Sequence, residues 1–220
     1  MNTKEKWETA AHHSMAMVGG FLGVYALLTR SSTFGSSETT NLIYLLVSGL
    51  NGSVFDFLVR LGATLCYIGG IVFATLLPKF LKKTDFRYVA IAIDTLCCLI
   101  MVFVPMEWDP VLALYPVFFA TAVQWLAYTK AAGFNSATVF STNNLRQCFA
   151  GLTEYLYHRE DAHLKRFLFY GGTLLGFHLG VVYGWFALRH LGSLSILAGL
   201  PLLLITLAVT IYDHRLSRKA

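Results

Sequence analysis

The sequence predicts an all-α polytopic membrane protein, with six transmembrane helices forming two inverted three-helix repeats. Each repeat carries one short re-entrant or interfacial helix. Three observations predict it. The 220 residues are 56% hydrophobic and only 13% charged, with a mean hydropathy of +0.59, whereas a soluble domain carries about 25% charged residues. The apolar residues gather in runs of bilayer length, a spanning helix needing roughly 20 of them. Two short polar-headed segments, TTNLIYLLVSGL (Thr39 to Leu50) and STNNLRQCFAGL (Ser141 to Leu152), echo one another.

Six runs reach spanning length: residues 10–29, 54–78, 86–105, 110–131, 164–188 and 192–212. No small-residue cleavage site follows the first, so it reads as a retained helix and not a signal peptide. The short segments near 36–50 and 138–157 are more polar, and counting them as spans would give eight. Charge decides for six. With six spans, one side holds Lys4, Lys6, Lys79, Lys82, Lys83, Arg87, Lys130, Arg146, Arg159, Lys165, Arg166, Arg215, Arg218 and Lys219, and the other holds Arg30, Arg60 and Arg189. Such an excess marks the cytoplasmic side, so both termini are expected inside, in a bacterial cytoplasmic (inner) membrane. Eight spans would put Lys79, Lys82, Lys83 and Arg87 outside. No linker or soluble domain is visible, and residues 1–220 read as one membrane domain, with repeat one at about 8–105 and repeat two at about 110–213. Cys66, Cys97, Cys98 and Cys148 have no CxxC spacing, so no disulfide or metal framework is expected. The net charge of +5 is explained by topology, and no nucleic-acid partner is expected.

The echo supplies the repeats. At an offset of 102, Thr40 aligns with Thr142, Asn41 with Asn143, Gly49 with Gly151 and Leu50 with Leu152; GATL (Gly62 to Leu65) then echoes GGTL (Gly171 to Leu174), and GIVFA (Gly70 to Ala74) echoes GVVYG (Gly180 to Gly184). Three spans per repeat is an odd number, so the second copy enters from the opposite face. In transporters built this way the site lies near the midplane at the repeat interface, often between interrupted helices. The short segments are then those interruptions, since irregular backbone at that depth must be covered by protein or water. The alternative is a pair of amphipathic helices lying flat at the interface, with Thr39, Thr40 and Asn41 as ordinary caps.

At these residues the chain resembles a known family. GGFLGVYALL (Gly19 to Leu28), FGSSETTNLIYL (Phe34 to Leu45) and AVQWLAYTKAAGFNSATVFSTNNL (Ala122 to Leu145) resemble the YoaK-like bacterial small integral membrane proteins, a domain of unknown function. The resemblance implies a six-span architecture and no substrate. The chain departs from the family pattern at Gly23, where an acid is expected in the first span, and at Thr40 and Asn143, where signature glycines are expected.

The candidate solute-binding residues are Thr39, Thr40, Asn41, Gln124, Ser141, Thr142, Asn143 and Asn144, because uncharged amides and hydroxyls bind a polar solute without burying an ion. Gln124 lies inside the fourth run and reads either as lining or as packing. Asp94 is the clearest intramembrane acid, and such residues mark pathways and relays; a structural partnership is the other reading. His178, in the fifth run, could couple a solute to protons or be a neutral histidine bonded across helices. A heme would need a second ligand at its depth, and His190, His12 and His13 do not supply one, so neither cofactor nor metal is expected. Asp56 and Arg60 read as an i,i+4 pair. Gly172, Gly176, Gly180 and Gly184 form a small-residue face in the fifth run, and Gly19 and Gly23 repeat the spacing in the first; such faces let helices approach closely in lipid.

These readings favour a small secondary transporter or permease for an unidentified small polar solute, with a homodimer expected because six spans are few for a complete pore. A non-transporting membrane sensor, scaffold or lipid-binding protein is the alternative. No catalytic constellation is present in the sequence, so an enzyme is not expected.

Overall fold

The first helix, α1 (Thr3–Thr29), opens on a capping box. The Asn2 side chain accepts the Glu5 amide at 2.8 Å, and the Glu5 carboxylate accepts the Asn2 amide at 3.0 Å, satisfying donors that a helix start leaves without internal partners. The computed structural model describes residues 2–30, 38–81 and 84–217. The start of the first short segment (Ser36 and Ser37), Phe34 and Gly35, and the basic residues Lys82, Lys83, Arg218 and Lys219 lie outside the described residues. After α1 come α2 (Glu38–Leu50), α3 (Val54–Phe80), α4 (Phe86–Met101), the short α5 (Pro110–Ala113) and α6 (Tyr115–Ala127). A two-stranded hairpin, β1 (Lys130–Ala131) and β2 (Phe134–Asn135), leads to α7 (Thr142–His158) and α8 (Asp161–Leu191). A 3-10 stretch, Gly192–Ala198, joins α8 to α9 (Gly199–Ser217).

The fold is all-α apart from that hairpin. Among the described residues, three helical stretches are long and apolar enough to cross a membrane: Thr3–Thr29, Val54–Phe80 and Asp161–Ser217. The third reverses direction. Gly192 takes φ +55° and ψ −127°, a backbone that favours glycine. On either side of it α8 and α9 pass α1 in opposite senses: His13 and Phe21 of α1 lie beside Gly172 and Gly184 of α8, while the Trp7 ring packs tilted against Tyr212 and Phe21 touches Gly199 of α9.

Residue pairs fix the remaining directions. Tyr115 donates its hydroxyl to the Val59 carbonyl at 2.7 Å, and Gly70 lies against Phe119 and Ala122, so α3 and α6 run side by side in the same sense. Arg30, just past α1, donates to the carbonyls of Pro105 and Val104 beyond the end of α4, at 2.8 and 3.2 Å. At the other end, the starts of α1 and α4 meet the ends of α3, α6 and α9 around a 370 Å³ recess lined by Lys4, Glu8, Pro78, Arg87, Lys130 and Asp213. So α1, α4 and α8 point one way, and α3, α6 and α9 the other.

The tightest seam is α1 against α8. A Cβ at Gly176 would stand 2.7 Å from the His13 carbonyl, and one at Gly172, Gly180 or Gly184 would run into the His13 ring, the Met17 carbonyl or Val24. Gly20 meets the Phe177 carbonyl from the α1 side, whereas Gly19 faces the Thr138 carbonyl. Gly23 is buried in α1. A glycine at each contact leaves the room for so close an approach.

The fourth apolar run, residues 110–131, is not one helix. Asp109 caps α5, its carboxylate accepting the Val111 and Leu112 amides at 2.9 and 3.0 Å; Leu114 breaks the helix, and α6 stops at Ala127. The chain then turns through Ala132 (φ +48°) and Gly133 (φ +82°), the positive-φ pair of a two-residue hairpin. Thr138, Val139 and Ser136 in the irregular stretch that follows are all buried, the condition for non-helical backbone inside a membrane bundle.

Candidate functional site

The two short helices both begin partway along the long helices that they pack on. Asn41, in the first turn of α2, donates its amide to Thr64 Oγ1 at 3.0 Å and to the Arg60 carbonyl at 3.2 Å. Thr64 stands ten residues into α3, about 15 Å from its start at 1.5 Å per residue. The other end of α2 returns to the mouth, where Gly49 meets Phe57. On the second helix, Cys148 lies beside Gly171, ten residues into α8, and Thr142 starts α7 a further six residues on, about 9 Å deeper. Both helices therefore double back against the long helix that follows them.

Their starts share one cleft. It encloses about 860 Å³ and is lined by Glu38, Thr39, Thr40 and Leu42 of α2 and by Thr142, Asn143 and Arg146 of α7; Tyr67, Trp125 and Phe140 wall it. Tyr67 is midway along α3. The cleft thus offers hydroxyls and an amide, one acid, one base and three aromatic faces. Glu38 Oε2 is buried without a partner, and its Oε1 accepts from Asn41 at 3.2 Å. Arg146 donates to Asn143 Oδ1 at 3.0 Å.

The candidates read from the sequence separate into two groups. Thr39, Thr40, Thr142 and Asn143 line the cleft. Asn41, Asn144 and Gln124 do not; they are buried and tie chain segments together. Asn144 donates to the carbonyls of Ala137 and Phe140 at 2.7 and 3.0 Å and accepts the Ser136 hydroxyl at 2.9 Å. Gln124 donates to the Met15 carbonyl at 3.1 Å and to Thr138 Oγ1 at 3.0 Å, fastening α6 and the irregular stretch to α1, while its Oε1 has no partner. Ser141 caps α7 by position without a side-chain bond, and its Oγ is buried and unpartnered.

These roles shift the alignment at the helix starts. An offset of 102 pairs Asn41 with Asn143, but burial pairs Asn41 with Asn144 and Leu45 with Cys148, an offset of 103. Asn143 lines the cleft and Asn144 is buried, so the second of the two adjacent asparagines is the one that plays the part of Asn41.

Asp94 and His178 are not brought together. Asp94 is fully buried on α4, and neither carboxylate oxygen has a partner. His178 is exposed among Leu175, Leu179 and Val182, its Nδ1 2.7 Å from the Leu174 carbonyl one turn back on α8, so it bonds within its own helix and not across helices. Asp56 and Arg60 form no pair either. Asp56 accepts the Ser53 hydroxyl at 2.6 Å as part of the α3 cap, and the Arg60 guanidinium lies 4.6 Å over the Tyr44 ring of α2. Among the described residues no group of three or more His, Cys, Asp or Glu gathers to hold a metal.

The sequence reading missed Glu38, Leu42, Tyr67, Trp125, Phe140 and Arg146. Glu38 and Arg146 adjoin the polar signatures, which was a usable signal. The aromatic residues carried none, since Phe and Tyr number 17 and 11 and occur in every span.

At the recess end, Arg87 binds Asp85 at 2.6 Å and Asp213 at 2.8 Å, and His214 stands 3.4 Å from Asp85. Burial opposes the ionised Asp85, but the hydrogen bonds and charge of Arg87 outweigh it and hold the carboxyl below the usual carboxylate range.

No curated protein and no solved structure matches the chain. Residues 12–210 match the family profile described as "Protein of unknown function (DUF1275)", consistent with the YoaK-like resemblance, and the chain belongs to that family.

Proposed function

We propose that this protein is a small secondary transporter of the bacterial cytoplasmic membrane, not an enzyme, that binds a small polar solute where α2 and α7 begin. The observation that carries the reading is the convergence of two doubled-back helices, each attached to a different long helix, on one 860 Å³ cleft. A cleft of that size is in the range of small-molecule sites, about 300–1,000 Å³. The outer face of α2 is apolar, with Ile43, Tyr44, Leu46 and Leu50 exposed, and its polar start turns to the cleft, with Asn41 buried. That suits a re-entrant helix better than one lying flat, which would turn a polar face to water.

The same reading takes α1, α3, α4, α6, α8 and α9 as six crossings in two inverted repeats. Helix pairing supports it: α1 packs on α8 and α9, and α6, its counterpart, packs on α3 and α4. Gly180 of α8 meets the Met17 carbonyl of α1, and Gly70 of α3 meets the Phe119 carbonyl of α6. Two related halves of opposite orientation give a protein a way to open its centre to one side and then the other. The termini are then cytoplasmic, and the expected homodimer is tested by crosslinking in native membranes, where a monomer alone would exclude it.

The solute reading is tested by melting the purified protein against a metabolite library, since a ligand that binds only the folded state raises apparent stability. Thr142→Val and Asn143→Ala should weaken the response to a hit while leaving the ligand-free melting point near its starting value, and the hit should accumulate in proteoliposomes. Hits indifferent to both variants, or no hit at all, would sink the reading. A hit that binds without crossing the bilayer would favour a sensor.

A further inference from the structure

We infer that the cleft takes a zwitterion of the amino-acid class, its ammonium held by Glu38, its carboxylate by Arg146, and its side chain against Tyr67, Trp125 and Phe140. This rests on the cleft reading above and names its solute. Two opposite charges line the same cavity, yet no ion pair joins them, so their charged atoms stand more than 4.0 Å apart. Among the described residues each has a neutral partner: the Asn41 amide for Glu38, the Asn143 carbonyl oxygen for Arg146. Glu38 Oε2 is buried and bonded to nothing. A carboxylate oxygen withdrawn from water without a counter-charge is costly; an ammonium in the cleft relieves it, and the exposed Arg146 on the same cleft takes the carboxylate of the same solute.

The uncharged lining narrows the class further. A sugar would use Thr39, Thr142 and Asn143 and leave both charges unmatched. A simple anion or cation would match one and repel the other. The carboxylate side gains from the start of α7, where no side chain caps the free amides and the helix dipole is positive. Between the charged ends, Tyr67, Trp125 and Phe140 present aromatic area that a small hydrophilic zwitterion would not cover. An apolar or aromatic side chain would.

The test uses the full chain purified in detergent and three probes of one shape: L-phenylalanine, phenethylamine, which lacks the carboxylate, and 3-phenylpropionate, which lacks the ammonium. Calorimetric titration should show L-phenylalanine bound at least about tenfold more tightly than either analogue, the worth of one charge-assisted hydrogen bond. Arg146→Gln should remove the advantage over phenethylamine, and Glu38→Gln the advantage over 3-phenylpropionate. Ligand-free melting of each variant shows that it is folded. An analogue that binds as tightly as L-phenylalanine, and is weakened by Asn143→Ala, would overturn the zwitterion and leave the cleft standing. L-phenylalanine binding that ignores both charge variants would overturn it too. If none of the three probes binds while a library hit still depends on Asn143, the class assignment fails and the cleft reading survives.

Discussion

Helices α2 and α7 do the same geometric job with very different support. Each doubles back on the long helix after it, each is pinned near its start by a buried asparagine, and both open on one cleft. But α2 buries only Asn41 and Leu45, and its asparagine bonds within α2 and to α3. Helix α7 buries Asn144, Cys148 and Gly151; Asn144 bonds three groups of the chain leading into the helix, and Gln147 accepts from Arg166 of α8. At Gly151 the two backbones close to the point that a Cβ would stand 3.0 Å from the Phe167 amide nitrogen. The same function of holding a helix start at mid-depth can thus be met by one loosely held element and one stitched element. The looser one carries the acid of the cleft and the tighter one the base, which makes α2 the natural moving part if the cleft opens and closes.

The comparison can be broken by substitution. The largest effect is expected from Asn144→Ala, which strands two buried carbonyls and a hydroxyl; at about 1–3 kcal/mol per unsatisfied group, softened by relaxation, a loss of about 3 kcal/mol is expected in thermal or denaturant unfolding. Gly151→Leu should cost about 2 kcal/mol by forcing α7 off α8. The α2 counterparts should be milder. Asn41→Ala should cost about 1 kcal/mol, because the Arg60 carbonyl belongs to a helix and Thr64 can bond its own helix backbone. Gly49→Leu meets only the edge of the Phe57 ring and should change the melting point least of the four. Equal losses in the two helices would erase the distinction.

Hydrogen exchange sharpens it without mutation: amides of α2 should exchange faster than those of α7 at equal depth. A pH titration supplies the control, because its target touches neither helix. The carboxyl of Asp85 is held below the usual range by Arg87, so its contribution is fully present above the ordinary carboxylate value of 3.8 and is lost as pH falls through the lower folded value. Acid should therefore loosen the α4–α9 end, and Asp85→Asn should flatten that dependence. The effect is small and should leave the order of the α2 and α7 variants unchanged.

The site was legible in part. The threonines and asparagines of the two signatures mark where the short helices begin, and that much follows from polar residues heading an apolar segment. Which of two adjacent asparagines faces the cleft does not, since one helical residue turns the side chain by about 100°. Tyr67 and Trp125 were indistinguishable from the aromatic residues that pack or face lipid elsewhere. Asp94 and His178 looked equivalent as polar residues in apolar runs, and one is sealed inside the bundle while the other faces outward.

The sequence by itself determined that this is a membrane protein with long apolar helices, where the short polar-headed segments fall, and that the fifth run carries a glycine face, because each of these is a sum or a period over consecutive residues. Tertiary structure alone decided that the glycine face meets α1, that the irregular chain at Ser136, Thr138 and Val139 is buried, and that Glu38 and Arg146 share a cleft. Those facts depend on which distant segments meet, and a carboxylate, a guanidinium and three aromatic rings become a binding site only when packing sets them around the same space.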